Sequence, residues 1–141
     1  MPKININEVE KQYLQHIYRS LEDSVEVSTG SLADAFKVRP ASAVDVLNRL
    51  AARGLIKRTG WGRFSLSERG MKLASRIIHN HRVLETYFSR NLGLTEAEAC
   101  REASKIDHLV GDTVVKQFCK ILGHPSKCIH GRDMVHTSCL G

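Results

Sequence analysis

Residues 37–69 read KVRPASAVDVLNRLAARGLIKRTGWGRFSLSER, and this stretch decides the fold. Pro40 suits the first turn of a helix, because its fixed φ is helical and a first-turn N–H has no partner anyway. The helix it opens runs to about Arg53. Ala43, Val44, Leu47 and Leu50 form its inward stripe, Ser42, Asp45, Asn48 and Arg49 lie on or near its outer side, and Gly54 ends it. Leu55-Ile56-Lys57-Arg58 reads as a strand and Arg63-Phe64-Ser65-Leu66 as another. Thr59-Gly60-Trp61-Gly62 between them carries the glycines that a tight hairpin needs for positive φ.

Upstream, a short helix over 31–36 buries Leu32 and Phe36, and Lys37-Val38-Arg39 makes the turn into the Pro40 helix. A first helix over 7–22 is capped by Asn7 with Glu10 as reciprocal partner. Ile6, Tyr13, Ile17 and Leu21 give its buried stripe, and Val25/Val27 suggest a brief strand before the short helix. Helix, turn, helix and basic hairpin is the order of a winged helix-turn-helix. The plain alternative is a generic α+β domain with a hairpin.

Downstream, a long helix over 67–91 repeats Met71, Ala74, Ile78, His81, Leu84 and Phe88 at three- and four-residue steps. Thr95, with Glu98, caps a further helix to about Val110. A last helix reaches about Leu122, and the tail from Gly123 reads as irregular. The chain is thus mainly α, divided into a winged helix-turn-helix over 1–66, a helical domain over 67–123 and a His/Cys-containing tail over 124–141.

The charge is localised. Residues 37–69 hold eight basic side chains (Lys37, Arg39, Arg49, Arg53, Lys57, Arg58, Arg63, Arg69) against Asp45 and Glu68, which accounts for the whole net +6 of the chain. Such a footprint fits a polyanion, the alternative being a merely solvated basic face. In a major groove the Pro40 helix would present its N-terminal side to the bases. Arg39, Ser42 and Asn48 are candidates for base edges, with Asp45 able to accept from cytosine. Lys37, Arg49, Lys57, Arg58 and Arg63 suit phosphates, which supply affinity but little sequence information. The expected partner is duplex DNA.

No apolar run reaches bilayer length, and the first residues lack an apolar signal core, so the expected compartment is the cytoplasm, with no membrane partner. The four cysteines are then thiols or ligands rather than disulfides. His81 and Glu85 share one helix face. Cys100, Ser104, Asp107 and His108, at i, i+4, i+7 and i+8, share another. Together they offer imidazole, thiolate and carboxylate, a mixture suited to borderline divalent metals such as Fe2+, Mn2+ or Zn2+. Cys128-Ile129-His130 is a further pair without zinc-knuckle spacing. Singly, a buried His or Cys is more often core than ligand.

On Tyr13-Leu14-Gln15-His16-Ile17-Tyr18, Arg39-Pro40-Ala41-Ser42-Ala43-Val44, Arg53-Gly54-Leu55-Ile56, Asn80-His81-Arg82-Val83-Leu84-Glu85 and Ile106-Asp107-His108, the sequence resembles the diphtheria toxin repressor family of iron- and manganese-dependent regulators. The likeness covers about residues 13–122. It implies a homodimer joined through the helices after the wing, with divalent metal setting its affinity for palindromic operators, usually of metal-uptake genes. His81 and Glu85 match family ligands, Cys100 falls on an ancillary histidine, and Asp107 with His108 falls on an acidic-residue–histidine pair. Gln12 stands where the family has Met or Asp, Ser104 where it has Cys or Glu, and Gln15 where the manganese type has a carboxylate. Cys119, Cys128 or His130 could replace a missing ligand. The C-terminal SH3-like domain of the family's longer members is not expected here.

Two other readings use the same features. A redox or iron–sulfur sensor would draw on Cys100, Cys119, Cys128 and Cys139, whose spacing is not that of a ferredoxin. An architectural or partner-binding winged-helix protein would hold a purely structural metal. No glycine-rich nucleotide loop, nucleophile motif or HExxH pair points to an enzyme.

Overall fold

The computed structural model describes residues 5–136. Its elements are α1 (Glu8–Glu22), β1 (Val27–Ser28), α2 (Thr29–Phe36), α3 (Pro40–Ala52), β2 (Ile56–Gly60), β3 (Arg63–Leu66), α4 (Glu68–Leu92), α5 (Glu96–Ile106) and α6 (Asp112–Ile121). They fall into two compact units, Met1–Ala74 and Ser75–Gly141. Ala74, on α4, packs into the core of the first unit.

The first unit is a three-helix cluster closed by a small antiparallel sheet in the order β1-β3-β2. Asn7 caps α1 with both halves of the capping box formed, and Ser28 caps α2 with Ser31. α2 ends on Lys37 in the left-handed region (φ 54), which an L-residue enters at about 1–2 kcal/mol. That turn sets a lysine immediately before α3. In the hairpin, Arg58 pairs with Phe64 and Gly60 with Arg63, so Thr59 is the extra residue of an irregular register. Trp61 and Gly62 form the tip, with Gly62 at φ 64.

Two inward stripes differ from the periodic reading. On α3 the buried residues are Ala43, Val46, Leu47 and Leu50, whereas Val44 is exposed. On α1 Leu14 is buried and Leu21 is at the surface. In both helices the neighbouring elements cover an arc that differs from the apolar stripe, so a residue at the stripe's edge stays at the surface.

The second unit is organised by the middle of α4. Residues 77–86 are all buried, and they include His79, Asn80, His81, Arg82, Glu85 and Thr86. α5 stops at Ile106, so residues 107–110 form turns rather than helix, with Asp107 as the C-cap. Among the described residues, 122–136 have little regular structure apart from the bridge Lys127 to Asp133, but they are not loose. Cys128 and Met134 pack with Val83, Val115 and Cys119 in this unit's core.

Candidate functional site

In the first unit, α3 and the hairpin carry the basic face. Lys37, Arg39, Ser42, Asp45, Asn48, Arg49, Lys57, Arg58 and Arg63 are all exposed. Their side chains are therefore open to a ligand, but not all are equally available. Arg63 pairs with Glu26 at 3.3 Å, and the Arg58 guanidinium lies 5.9 Å from the Phe64 ring centroid. Both pairings are surface contacts, worth little and exchangeable for phosphate. Arg53 differs: it holds Glu10 at 3.2 Å and the Asn5 carbonyl, so this cation fastens α3 to the start of α1. Trp61, fully exposed at the hairpin tip, was not singled out from the sequence. The signal was there, since a lone Trp between two glycines has no core to enter.

In the second unit, Glu85 is the hub. His81 Nε2 lies 3.4 Å from Glu85 Oε2 and 3.6 Å from Cys100 Sγ. From the other side His130 Nδ1 lies 3.2 Å from the same Glu85 oxygen. Two triplets, His81/Glu85/Cys100 and Glu85/Cys128/His130, each bring their donor atoms within 4.8 Å of one another. The tail pair Cys128 and His130 thus reaches the residues matched on α4 and α5.

Asp107 is placed between two imidazoles. Its Oδ2 accepts from His81 Nδ1 at 3.0 Å, and its Oδ1 lies 3.2 Å from His108 Nδ1. A ring whose Nδ1–H is held by a carboxylate turns Nε2 outward as the ligand atom, the usual outer-sphere arrangement around a metal-binding histidine. Ser104 donates its hydroxyl to the Cys100 carbonyl at 2.9 Å, bonding back along its own helix. α5 ends at Ile106, but Asp107 keeps helical dihedrals and bonds back to the Ala103 carbonyl, so it meets His81 as Cys100 does. Cys119 does not join them. It sits on α6 in another group, with His79 and His136. Gln12, on α1, is exposed and donates to Glu8 at 3.2 Å. Cys139 lies outside the described residues.

The buried charges answer one another. Burial alone would lower His81, but its hydrogen bonds with Asp107, Cys100 and Glu85 outweigh this and raise it from 6.5 to about 10. Burial alone would raise Glu85, yet its bond to His81 holds it below the ordinary value. Burial pushes the Cys128 thiol up. Without metal, His81 is therefore a cation wedged between two carboxylates. Its contribution to stability is complete below 6.5 and is lost as pH rises through about 10. Chelated protein is expected to melt at progressively lower temperature across that window, as scanning calorimetry at stepped pH would show. A flat melting temperature there would contradict the buried imidazolium.

Two profiles match the chain: "Iron dependent repressor, N-terminal DNA binding domain" over residues 6–60, and "Iron dependent repressor, metal binding and dimerisation domain" over residues 67–136. The chain belongs to the iron-dependent repressor family. It is 25% identical to an uncharacterised HTH-type transcriptional regulator of Methanocaldococcus jannaschii, over 77% of this chain and 87% of that one. It is 24% identical to the iron-dependent repressor IdeR of Mycobacterium tuberculosis, over 88% of this chain but 54% of IdeR. Among solved structures, the manganese regulator SloR superposes with a TM-score of 0.79 at 26% identity, covering 93% of this chain and 60% of SloR. A hypothetical protein of Sulfolobus solfataricus superposes with a TM-score of 0.71 at 25% identity, covering 92% of this chain and 98% of that one. The chain thus spans little more than half the length of IdeR and SloR.

Within the repressor family, this member's donor sets are unequal. The set around Glu85 has a buried carboxylate, an oriented imidazole and thiols, and it fits a borderline divalent ion. The set expected from the Ser104, Asp107 and His108 positions does not fit one. Its serine is a poor ligand, and both oxygens of its carboxylate are engaged by histidine rings.

Proposed function

We propose that this repressor-family member is a metal-responsive DNA-binding regulator whose operator affinity, as a homodimer, is set by occupancy of the Glu85-centred site. The carrying observation is the convergence of His81, Glu85 and Cys100 in the matched metal-binding domain, with Cys128 and His130 on the same carboxylate. The thiols favour Fe2+ or Zn2+ over Mn2+ in this site, since Mn2+ prefers oxygen donors. A bound divalent ion would act as a charge bridge between α4, α5 and the tail. His81, oriented by Asp107, and Glu85, ionised through its bond to His81, would hold it. The ion would replace the Nε2 proton of His81, so affinity should rise about tenfold per pH unit below the imidazolium pKa.

The second unit also exposes Leu109, Val114 and Ile121, apolar surface of the kind a dimer buries. A twofold dimer presents two α3 helices to half-sites of like sequence, which favours a palindromic operator. The reading is regulatory rather than enzymatic, and DNA binding puts its work in the cytoplasm. Cys119 stands in a different group from Cys100 and Cys128, an observation that favours a mononuclear metal over a four-cysteine iron–sulfur cluster.

The test is anaerobic titration of operator binding with Fe2+, Zn2+ and Mn2+, for the wild type and His81→Ala. Wild-type affinity should rise with Fe2+ or Zn2+, and the variant should not respond. Affinity indifferent to every metal would transfer the case to an architectural winged-helix protein. On the basic face, Lys57→Ala should weaken binding to all duplexes alike and reduce the slope of log affinity against log salt by about 1. An unchanged slope in fluorescence anisotropy would remove Lys57 from the interface.

A further inference from the structure

A second His/Cys group lies in the same unit, built from α4, α6 and the segment after α6. His79 donates from Nδ1 to the Met134 carbonyl at 2.8 Å. A carbonyl oxygen only accepts, so this bond fixes the tautomer and leaves a lone pair on Nε2. That Nε2 is buried with no hydrogen-bond partner. Leaving such an atom unsatisfied costs about 1–3 kcal/mol. His136 repeats the arrangement in mirror fashion. Its Nε2 donates to the Pro125 carbonyl at 2.7 Å, so the lone pair is on Nδ1, 3.7 Å from Cys119 Sγ. His124 Nδ1 lies 3.3 Å from the same sulfur. The donor atoms of His79, Cys119 and His136 all fall within 4.8 Å of one another.

The segment reaches this point under strain. His124 (φ 50) and Val135 (φ 55), next to His136, are both left-handed. Histidine tolerates that region, but a β-branched valine rarely enters it. Residues on either side of the site are therefore held by something stronger than loop preference.

We propose that His79, Cys119, His124 and His136 form a tetrahedral Zn2+ site, separate from the Glu85 group, which fastens the segment 123–136 to α4 and α6. His124 joins the triplet through its approach to the Cys119 sulfur, and both N···S distances fit: Zn–S near ~2.3 Å and Zn–N near ~2.0 Å imply an N···S tetrahedral edge of about 3.5 Å. The observed 3.3 and 3.7 Å bracket that edge. Three imidazoles and a thiolate, with no carboxylate among the donors, select Zn2+ over Mn2+ or Mg2+. Four protein ligands close the coordination shell, which is the pattern of a structural rather than a catalytic site. The carbonyls of Met134 and Pro125 are the outer-sphere acceptors that orient two of the three rings. Because the segment also carries Cys128 and His130, this site would hold those two residues at Glu85.

The test uses the full chain with the Glu85 group disabled by His81→Ala, Cys100→Ser and Cys128→Ser. This background should still bind one Zn2+ per chain. After exchange for Co2+ it should show the intense d–d bands of a tetrahedral ion and a thiolate-to-cobalt charge-transfer band. Adding Cys119→Ser should abolish that band. Adding His136→Ala instead should weaken binding by more than the roughly 10–100-fold typical of losing an outer-sphere partner. Should the buried Cys119→Ser chain not fold, His136→Ala, at a half-buried position, carries the test. Chelating the background protein should also speed proteolysis within 123–136. A background that binds no metal, a band that survives both substitutions, or a cleavage rate indifferent to chelation would each overturn the proposal. The metal response of operator binding is read separately, in otherwise wild-type protein, so its failure is distinguishable from this one.

Discussion

Glu85→Gln is expected to lower divalent-metal affinity by about two to three orders of magnitude, and to remove the metal response of operator binding with it. The substitution keeps volume and helix propensity, so the effect isolates the charge. Glu85 is the one residue common to both donor triplets, and its side chain is 3% exposed. Removing one partner of a buried charge pair costs about 3–5 kcal/mol, which is the source of that factor. A second readout follows from the same contact. Glu85 helps to raise His81, so the variant's metal-free His81 should titrate lower than about 10 by NMR. Metal affinity within about tenfold of wild type, by competition with a chelating dye, would remove Glu85 from the centre of the site; tenfold is only ~1.4 kcal/mol.

Gly70→Ala is expected to unfold or severely destabilise the first unit, although the site is one methyl group on a helix, where alanine is ordinarily preferred. A Cβ at Gly70 would lie 1.8 Å from the Leu55 carbonyl oxygen and 2.8 Å from its carbon. These are backbone atoms and cannot swing aside. They are also tied down, since Leu55 O accepts from Ser67 N at 3.1 Å and Ser67 Oγ bonds both Gly54 O and Gly70 N. α4 therefore starts against the entry to β2 with no room for a side chain. Overpacking of this kind costs about 3 kcal/mol or more, a large share of the stability of a small domain. Thermal melts of the full chain should show the first transition lowered, and DNA binding lost with it. A melting curve matching wild type would mean that α4 can shift away from Leu55 freely.

Local patterns made the first unit legible. Asn7 starts a helix there, as Thr95 does in the second unit, Pro40 opens α3, and Gly62 turns the hairpin, because capping and turn chemistry act over three or four residues. Which residue of a stripe is buried was less legible, as Val44 and Leu21 show. A single helix face is wider than the arc its neighbours cover.

The candidate site followed the same division. His81, Glu85 and Cys100 were legible as residues of matching chemistry and position. Asp107 was also legible, but its contacts were not. The periodic pattern ran α5 on through it, whereas the chain turns there and gives the carboxylate to two imidazoles. His79 was missed because it sits two residues from His81, on another side of α4, where a one-stripe reading expects solvent.

By itself, the sequence determined the winged helix-turn-helix order, the placement of net charge on that unit, and the kinds of donor atom in the other. Only the tertiary structure decided that α4 is buried on every side over 77–86, so that its polar residues face partners instead of water. The physical reason is that helical periodicity records which faces are apolar, not how many other elements cover the helix. A polar residue becomes a site when distant segments enclose it and leave its hydrogen-bonding atoms to be satisfied by one another or by a metal.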